Sequence, residues 1–241
     1  MSNTFFQFKE FTINQDRCAM KVTTDSCLFG AWVAKEVGIR RMGTGTILDI
    51  GTGTGLLGLM LAQKTNSPIT SIEIDTDAFR QASENIAISP WKDRIKIFHA
   101  DIKDFNSPVQ YEIVISNPPF YENEWLSENL KRNTAHHSSE LLLEDLLDII
   151  PTILTPGGKF YLLLPYKRHE EILKLFDQKK ISLIQKIFVR QTDGHDFFRF
   201  MIEGSFERSA NTITNEIAIK NKNNEYTEEF TAILKDYYLY M

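Results

Sequence analysis

The chain has 241 residues, 42% hydrophobic and 24% charged, which excludes global disorder and provides the apolar side chains for one sizeable core. Lys and Arg total 27 against 32 Asp and Glu, a formal charge of −5, so the chain does not coat nucleic acid by charge alone; a local basic patch on an acidic body stays compatible. Two cysteines, Cys18 and Cys27, form neither a disulfide framework nor a CxxC pair and read as small buried thiols.

Phe5, Phe6, Phe8, Phe11 and Ile13 predict a short extended start, and Ala31 to Val37 a helix. Arg40, Arg41, Gly43 and Gly45 mark a loop. From Thr46 short apolar runs alternate with helical patterns. Strands are predicted at Ile47–Ile50, Ile69–Ile74, Ile95–His99, Ile113–Ser116 and Phe160–Leu164. Helices are predicted at Leu56–Lys64, Asp77–Ile88, Leu141–Leu154 and Glu170–Gln178. This alternation makes βαβ units, hence a mostly parallel sheet with helices on both faces. Ile184–Arg190 and Phe197–Glu203 have no helical pattern between them and read as an antiparallel pair at one edge. Asn211 to Asn224 is polar, a linker or an exposed strand, and Glu228–Tyr240 reads as a terminal helix.

Asp49-Ile-Gly51-Thr-Gly53-Thr-Gly55 follows the first of these strands and opens a helix. Glycines there permit a tight turn and close approach of a ligand to the backbone, and the helix N-terminus adds unpaired N–H groups. A dinucleotide loop reads GxGxxG, but Leu56 stands where its third glycine would be. The GxGxG form resembles the S-adenosylmethionine (SAM) loop of class I methyltransferases. Glu73 ends the next strand, where a carboxylate can accept hydrogen bonds from ribose hydroxyls; Asp75, two residues on, competes for that role. Asp101 follows the third strand, placed either to accept from a cofactor amine or to close a turn.

Asn117-Pro118-Pro119-Phe120 ends the fourth strand, so it sits at a carboxyl edge, where open α/β sheets bind ligands. The prolines stiffen the loop, and the first restrains Asn117 to an extended conformation. An exocyclic amine is a poor nucleophile because its lone pair is delocalised into the ring. The Asn117 amide oxygen and the Pro118 carbonyl can accept its two N–H protons, favouring a pyramidal nitrogen and offsetting the charge that develops as methyl arrives. Phe120 offers a ring for the base to stack on. No strong base is required.

These motifs resemble the class I SAM-dependent amino methyltransferases. The segment Cys18-Ala-Met-Lys-Val-Thr-Thr-Asp-Ser-Cys-Leu-Phe-Gly-Ala-Trp32 narrows the resemblance to the bacterial valine-tRNA (adenine-N6) methyltransferase family, which acts on an adenosine next to the anticodon. The end of the chain, Tyr226-Thr-Glu-Glu-Phe with Leu234 to Leu239, is similar as well. The resemblance implies a Rossmann-like sheet of seven strands with an antiparallel edge strand. It implies one domain over 1–241, with 1–42 covering the cofactor and 211–241 as a C-terminal extension. It implies SAM contacts at Lys21, Thr24, Asp49, Gly51, Gly53, Gly55, Glu73, Asp101 and Asn117, and catalysis at Asn117 with Pro118 and Phe120. Thr23, where the family has Gly, and Phe29, where it has Leu, are departures not expected to touch the chemistry.

The implied partner is tRNA, bound by a monomer without metal or membrane. No run reaches the ~18 apolar residues of a membrane span, and the start lacks the order of a signal peptide, so the cytoplasm is expected. Basic candidates for RNA contact are Lys131-Arg132, His136-His137, Lys167-Arg168, Lys179-Lys180 and Lys220 with Lys222. Adjacent histidines point apart, which argues against a metal pair. The long polar stretch 121–139 reads as a lid that orders on RNA. The Asn-Pro-Pro-Phe motif alone leaves guanine-N2 methylation of ribosomal RNA and glutamine methylation of a protein open.

Overall fold

The computed structural model describes residues 3–39, 45–118, 141–209 and 211–241. Two short strands, β1 (Phe5–Gln7) and β2 (Thr12–Asn14), pair antiparallel at the start. Helix α1 (Thr24–Ile39) follows, then β3 (Ile47–Ile50), α2 (Leu56–Lys64), β4 (Ile69–Glu73), α3 (Thr76–Ala87) and β5 (Ile95–His99). Next come β6 (Tyr111–Ser116), α4 (Leu143–Ile153), β7 (Leu154–Pro165), α5 (His169–Gln178), β8 (Ser182–Thr192), β9 (Phe197–Ser205), β10 (Ile213–Lys220) and α6 (Glu228–Leu234).

The main sheet runs β10-β8-β9-β7-β6-β3-β4-β5, and every neighbouring pair is parallel except those made by β9. It has the expected mostly parallel character, with one strand beyond seven. The antiparallel strand, β9, lies between β7 and β8 rather than at the edge. Burial explains this: Phe200, Met201, Ile202 and Glu203 are all fully buried, as residues with a strand on either side must be. The edge goes to β10, whose first four residues are exposed; the polar Asn211–Asn224 stretch thus contains a paired strand.

Two apolar layers sandwich the sheet. Side chains of α1, α2 and α6 pack on one face, and those of α4 and α5 on the other. Helix α2 is buried on nearly every side, which its almost continuous apolar sequence requires. Helix α1 begins seven residues before the predicted start, because Thr23 caps it: the Thr23 hydroxyl accepts from the Ser26 N–H and its carbonyl from the Cys27 N–H. Helix α6 stops at Leu234 instead of reaching Tyr240. There the aromatic tail docks, the Tyr237 hydroxyl donating to the Met60 carbonyl at 3.0 Å and Lys9 N–H to the Tyr237 carbonyl at 2.8 Å.

Chain order reverses between β3 and β6. From β3 the chain builds outward through β4 and β5, then returns to place β6 and β7 on the other side. Crossovers diverge at such a point and leave a crevice at the carboxyl ends of the strands. The register pairs Ile50 with Ser116, so the loops after β3 and β6 start at the same level on adjacent strands. Those loops carry Gly51 and Asn117.

Candidate active site

The glycine loop is held from below. Asp49 is fully buried, and its Oδ2 accepts from the Thr52 hydroxyl at 2.5 Å. Gly51, Gly53 and Gly55 have φ of 69°, 57° and 84°, a region that L side chains rarely adopt. A Cβ on Gly51 or Gly53 would meet nothing within 4 Å, so the loop's outer side is open space that a ligand could fill. Gly55 caps α2 with no side-chain acceptor at that N-terminus.

Glu73, nearly buried, ties this loop to β4. Its Oε2 accepts from the Gly53 N–H at 2.7 Å and its Oε1 from the Asp75 N–H at 3.0 Å. Asp75 caps α3, accepting from the N–H groups of Asp77 and Ala78. Asp101 closes a turn by accepting from the Lys103 N–H at 2.9 Å.

A cavity of about 490 Å³ collects Lys21, Gly51, Gly53, Glu73, Asp101 and Asn117 on its walls, with Asp75 and Cys18. A second cavity of about 580 Å³ is lined by Thr23, Thr24, Asp25, Gln191, Phe198 and Arg199. Asn117, Met20 and Val22 belong to both. Of the predicted cofactor residues, Thr24 therefore faces the second cavity, and Asp49 and Gly55 support the loop without lining the first. The second cavity was not anticipated. It joins the start of α1 to the β8–β9 hairpin, where Arg199 Nε donates to Asp25 Oδ2 at 2.9 Å. Nothing in local spacing marks a pair 174 residues apart.

Asn117 is half-buried and Pro118 buried. The amide Nδ2 donates to Ser26 Oγ at 3.0 Å, and that hydroxyl lies 2.8 Å from the Thr23 hydroxyl. Thr23 thus stands one hydrogen bond from Asn117's partner. Pro119, Phe120, the 121–139 stretch, Lys131-Arg132, His136-His137 and Arg40-Arg41 lie outside the described residues. Two other basic pairs are partly matched by acids: Lys179 pairs with Asp148 and Glu144, and Arg168 with Glu171. Among the described residues no helix is long and apolar enough to cross a membrane, and no group of three or more His, Cys, Asp or Glu could hold a metal.

The electrostatics fit SAM, a sulfonium with an ammonium and a ribose. Glu73, Asp75 and Asp101 bring acceptors to one cavity. Burial, with help from the Glu73 and Asp75 charges, pushes the Cys18 thiol up to about 11, so it stays protonated and non-nucleophilic there. Asp49 Oδ1 is buried beneath the loop without a hydrogen-bond partner.

Burial also raises the Asp49 carboxyl to about 7, against the lowering effect of the Thr52 hydroxyl and the Gly58 N–H. The same carboxyl ionises near pH 4 when unfolded. Between about pH 4 and 7 the folded chain therefore holds a proton that the unfolded chain has released. Stability of the ligand-free protein is expected to fall as pH rises through that window, by about 4 kcal/mol at most from this group, and to level off above it. Urea unfolding at pH 5 and pH 8 tests this: Asp49→Asn should flatten the slope, and equal slopes in both proteins would refute it.

Residues 38–164 match the methyltransferase small domain family model. The tRNA1(Val) (adenine(37)-N6)-methyltransferase of Parabacteroides distasonis is 38% identical, covering 100% of both chains. The protein of that name from Dyadobacter fermentans is 40% identical over 98% of each. Among solved structures, a ribosomal protein L11 methylase from Lactobacillus delbrueckii subsp. bulgaricus shares the fold at TM-score 0.54 and 14% identity, covering 81% of this chain and 84% of that one. A glycopeptide N-methyltransferase complexed with SAM does so at TM-score 0.53 and 14% identity, covering 74% of this chain and 94% of that one.

Proposed function

The chain belongs to the family of the tRNA1(Val) (adenine(37)-N6)-methyltransferases, and on that premise we propose that its two cavities are a cofactor cleft and a target-base pocket, divided by Asn117. The protein is a SAM-dependent methyltransferase of tRNA, and its target is the N6 amine of an adenosine next to the anticodon in valine tRNA. Membership decides among the three substrates that the motif left open. The observation that carries the site assignment is the position of Asn117 in the walls of both cavities.

SAM, when bound, supplies an electrophilic methyl group on a positively charged sulfur. The chain's own residues do the rest. Gly51 and Gly53 let the cofactor lie against the backbone, and Glu73 accepts from its ribose hydroxyls. Asp75 is the competing claimant to that role: its Oδ1 accepts both N–H groups that cap α3. Asp101 accepts from the adenine amine, and Lys21 faces the amino-acid end. The target adenosine leaves its stack and enters the second cavity. There Asn117 Oδ1 and the Pro118 carbonyl accept the two N6 protons, directing the nitrogen lone pair toward the first cavity. Phe120 supplies the stacking surface. The methylated nitrogen is acidic enough to lose its proton without a dedicated base. A tRNA substrate suits the cytoplasm.

The direct test is transfer from methyl-labelled SAM to unmodified total tRNA, followed by nucleoside analysis. N6-methyladenosine confined to valine tRNA is expected. A tRNA fraction without label would overturn the substrate assignment and leave the SAM fold standing.

A further inference from the structure

We infer that Ser26 and Thr23 are positioning residues that set which way the Asn117 amide faces; the inference rests on the catalytic reading of Asn117. An amide has two nearly isosteric ends with opposite hydrogen-bonding character. Only the oxygen end can accept protons from an amine. Turned over, the amide would point its own N–H groups at the amine's N–H groups, and the contact would be repulsive. Function therefore needs a device that distinguishes the ends.

The start of α1 provides one. Asn117 Nδ2 donates to Ser26 Oγ at 3.0 Å. The Ser26 hydroxyl lies 2.8 Å from Thr23 Oγ1, a pair in which either oxygen can donate. Thr23 Oγ1 also receives the Ser26 backbone N–H at 3.4 Å, as the cap of the helix. With Ser26 donating to the cap oxygen, the chain of donors runs from Asn117 through Ser26 to Thr23. It holds the Nδ2 end of the amide and leaves Oδ1 on the opposite side. Ser26 is only 7% exposed, so water competes weakly for these bonds. The hydroxyl that caps the helix, Thr23 Oγ1, is thus one hydrogen bond from the hydroxyl that receives the amide, Ser26 Oγ. Thr23 lines the second cavity and Ser26 the first, so the pair stands beside Asn117 between the two sites.

A mutant cycle on the full chain tests this, with turnover on tRNA and SAM affinity read separately. Ser26→Ala keeps the helix and the backbone N–H but removes the acceptor. It is expected to lower kcat about tenfold, the worth of one oriented hydrogen bond, with SAM affinity unchanged. Thr23→Val is expected to lower kcat about threefold through the weakened relay, and Thr23→Ser to restore it. The decisive variant is Ser26→Ala combined with Asn117→Ala. If Ser26 acts through the amide, the double variant is no slower than Asn117→Ala alone. Losses that multiply in the double variant, or a wild-type kcat in Ser26→Ala, would overturn the inference. Wild-type turnover in Asn117→Ala would instead refute the catalytic reading on which it rests.

Discussion

Asn117→Ala is expected to bind SAM almost normally and to lose turnover by on the order of 10²–10³, the scale on which one preorganised polar group at a transition state acts. The fold gives this substitution little reason to disturb anything else. The backbone at Asn117 leaves β6, whose register with β3 is set by paired main-chain groups from Ile47–Ile113 to Ile50–Ser116. Pro118 restrains it on the other side. The side chain is half-buried and bonded to Ser26, a hydroxyl that keeps Thr23 as a neighbour when the amide is gone. The loss should fall on kcat, because the amide strengthens its bonds to the N6 protons as the nitrogen becomes positive. Asn117→Asp keeps an acceptor but loses the donor that Ser26 receives, so its defect should be smaller. Single-turnover methylation with labelled SAM, alongside equilibrium binding of SAM, separates the steps. Unchanged turnover would remove Asn117 from the chemistry; a parallel loss of SAM affinity would make it a cofactor residue.

Glu73→Ala should weaken SAM binding about 100-fold or more, while Asp75→Ala should weaken it no more than about threefold. Glu73 is nearly buried at the end of β4 and spans two turns, accepting from Gly53 on the glycine loop and from Asp75. Its removal takes away a charged acceptor for the ribose and the clamp that sets the loop. Asp75 uses its Oδ1 on the N-terminus of α3, accepting from the N–H groups of Asp77 and Ala78. Its replacement should cost about 1 kcal/mol of stability and leave the cleft intact. Titration calorimetry with SAM, paired with thermal melting, reads both quantities. The reverse ranking of affinities would move the ribose contact to Asp75.

The parts of the site legible in the sequence are those carried by contiguous strings at strand ends. Asp49 to Gly55 announces a turn between a strand and a helix because glycine tolerates positive φ, and all three glycines adopt it. Asn117-Pro118 declares a stiff extended exit from a strand. Glu73 is legible by its place at the end of the next strand, but spacing could not separate it from Asp75. The structure adds that Asp75 caps α3, while Glu73 accepts from the Gly53 N–H of the glycine loop. The start of α1 was missed for a related reason. Thr23 to Ser26 is a polar run that shows no apolar period, although a hydroxyl cap is what begins the helix there.

Composition and hydrophobic period by themselves determined a mostly parallel α/β sheet with its two motif loops at the carboxyl ends of the strands, and the resemblance of those loops to a known family pointed to a methyltransferase. Those signals are local: each depends on the conformations open to a few successive residues. The tertiary structure alone decided the interior position of β9, the division of the crevice into two cavities, and the hydrogen bond that joins the Asn117 amide to Ser26. Each of these depends on groups far apart in the chain, Ser26 with Asn117 across 91 positions and Asp25 with Arg199 across 174. Strand order is settled by which faces can be buried together, and a hydrogen bond between distant elements forms only after that packing has brought its donor and acceptor within 3 Å.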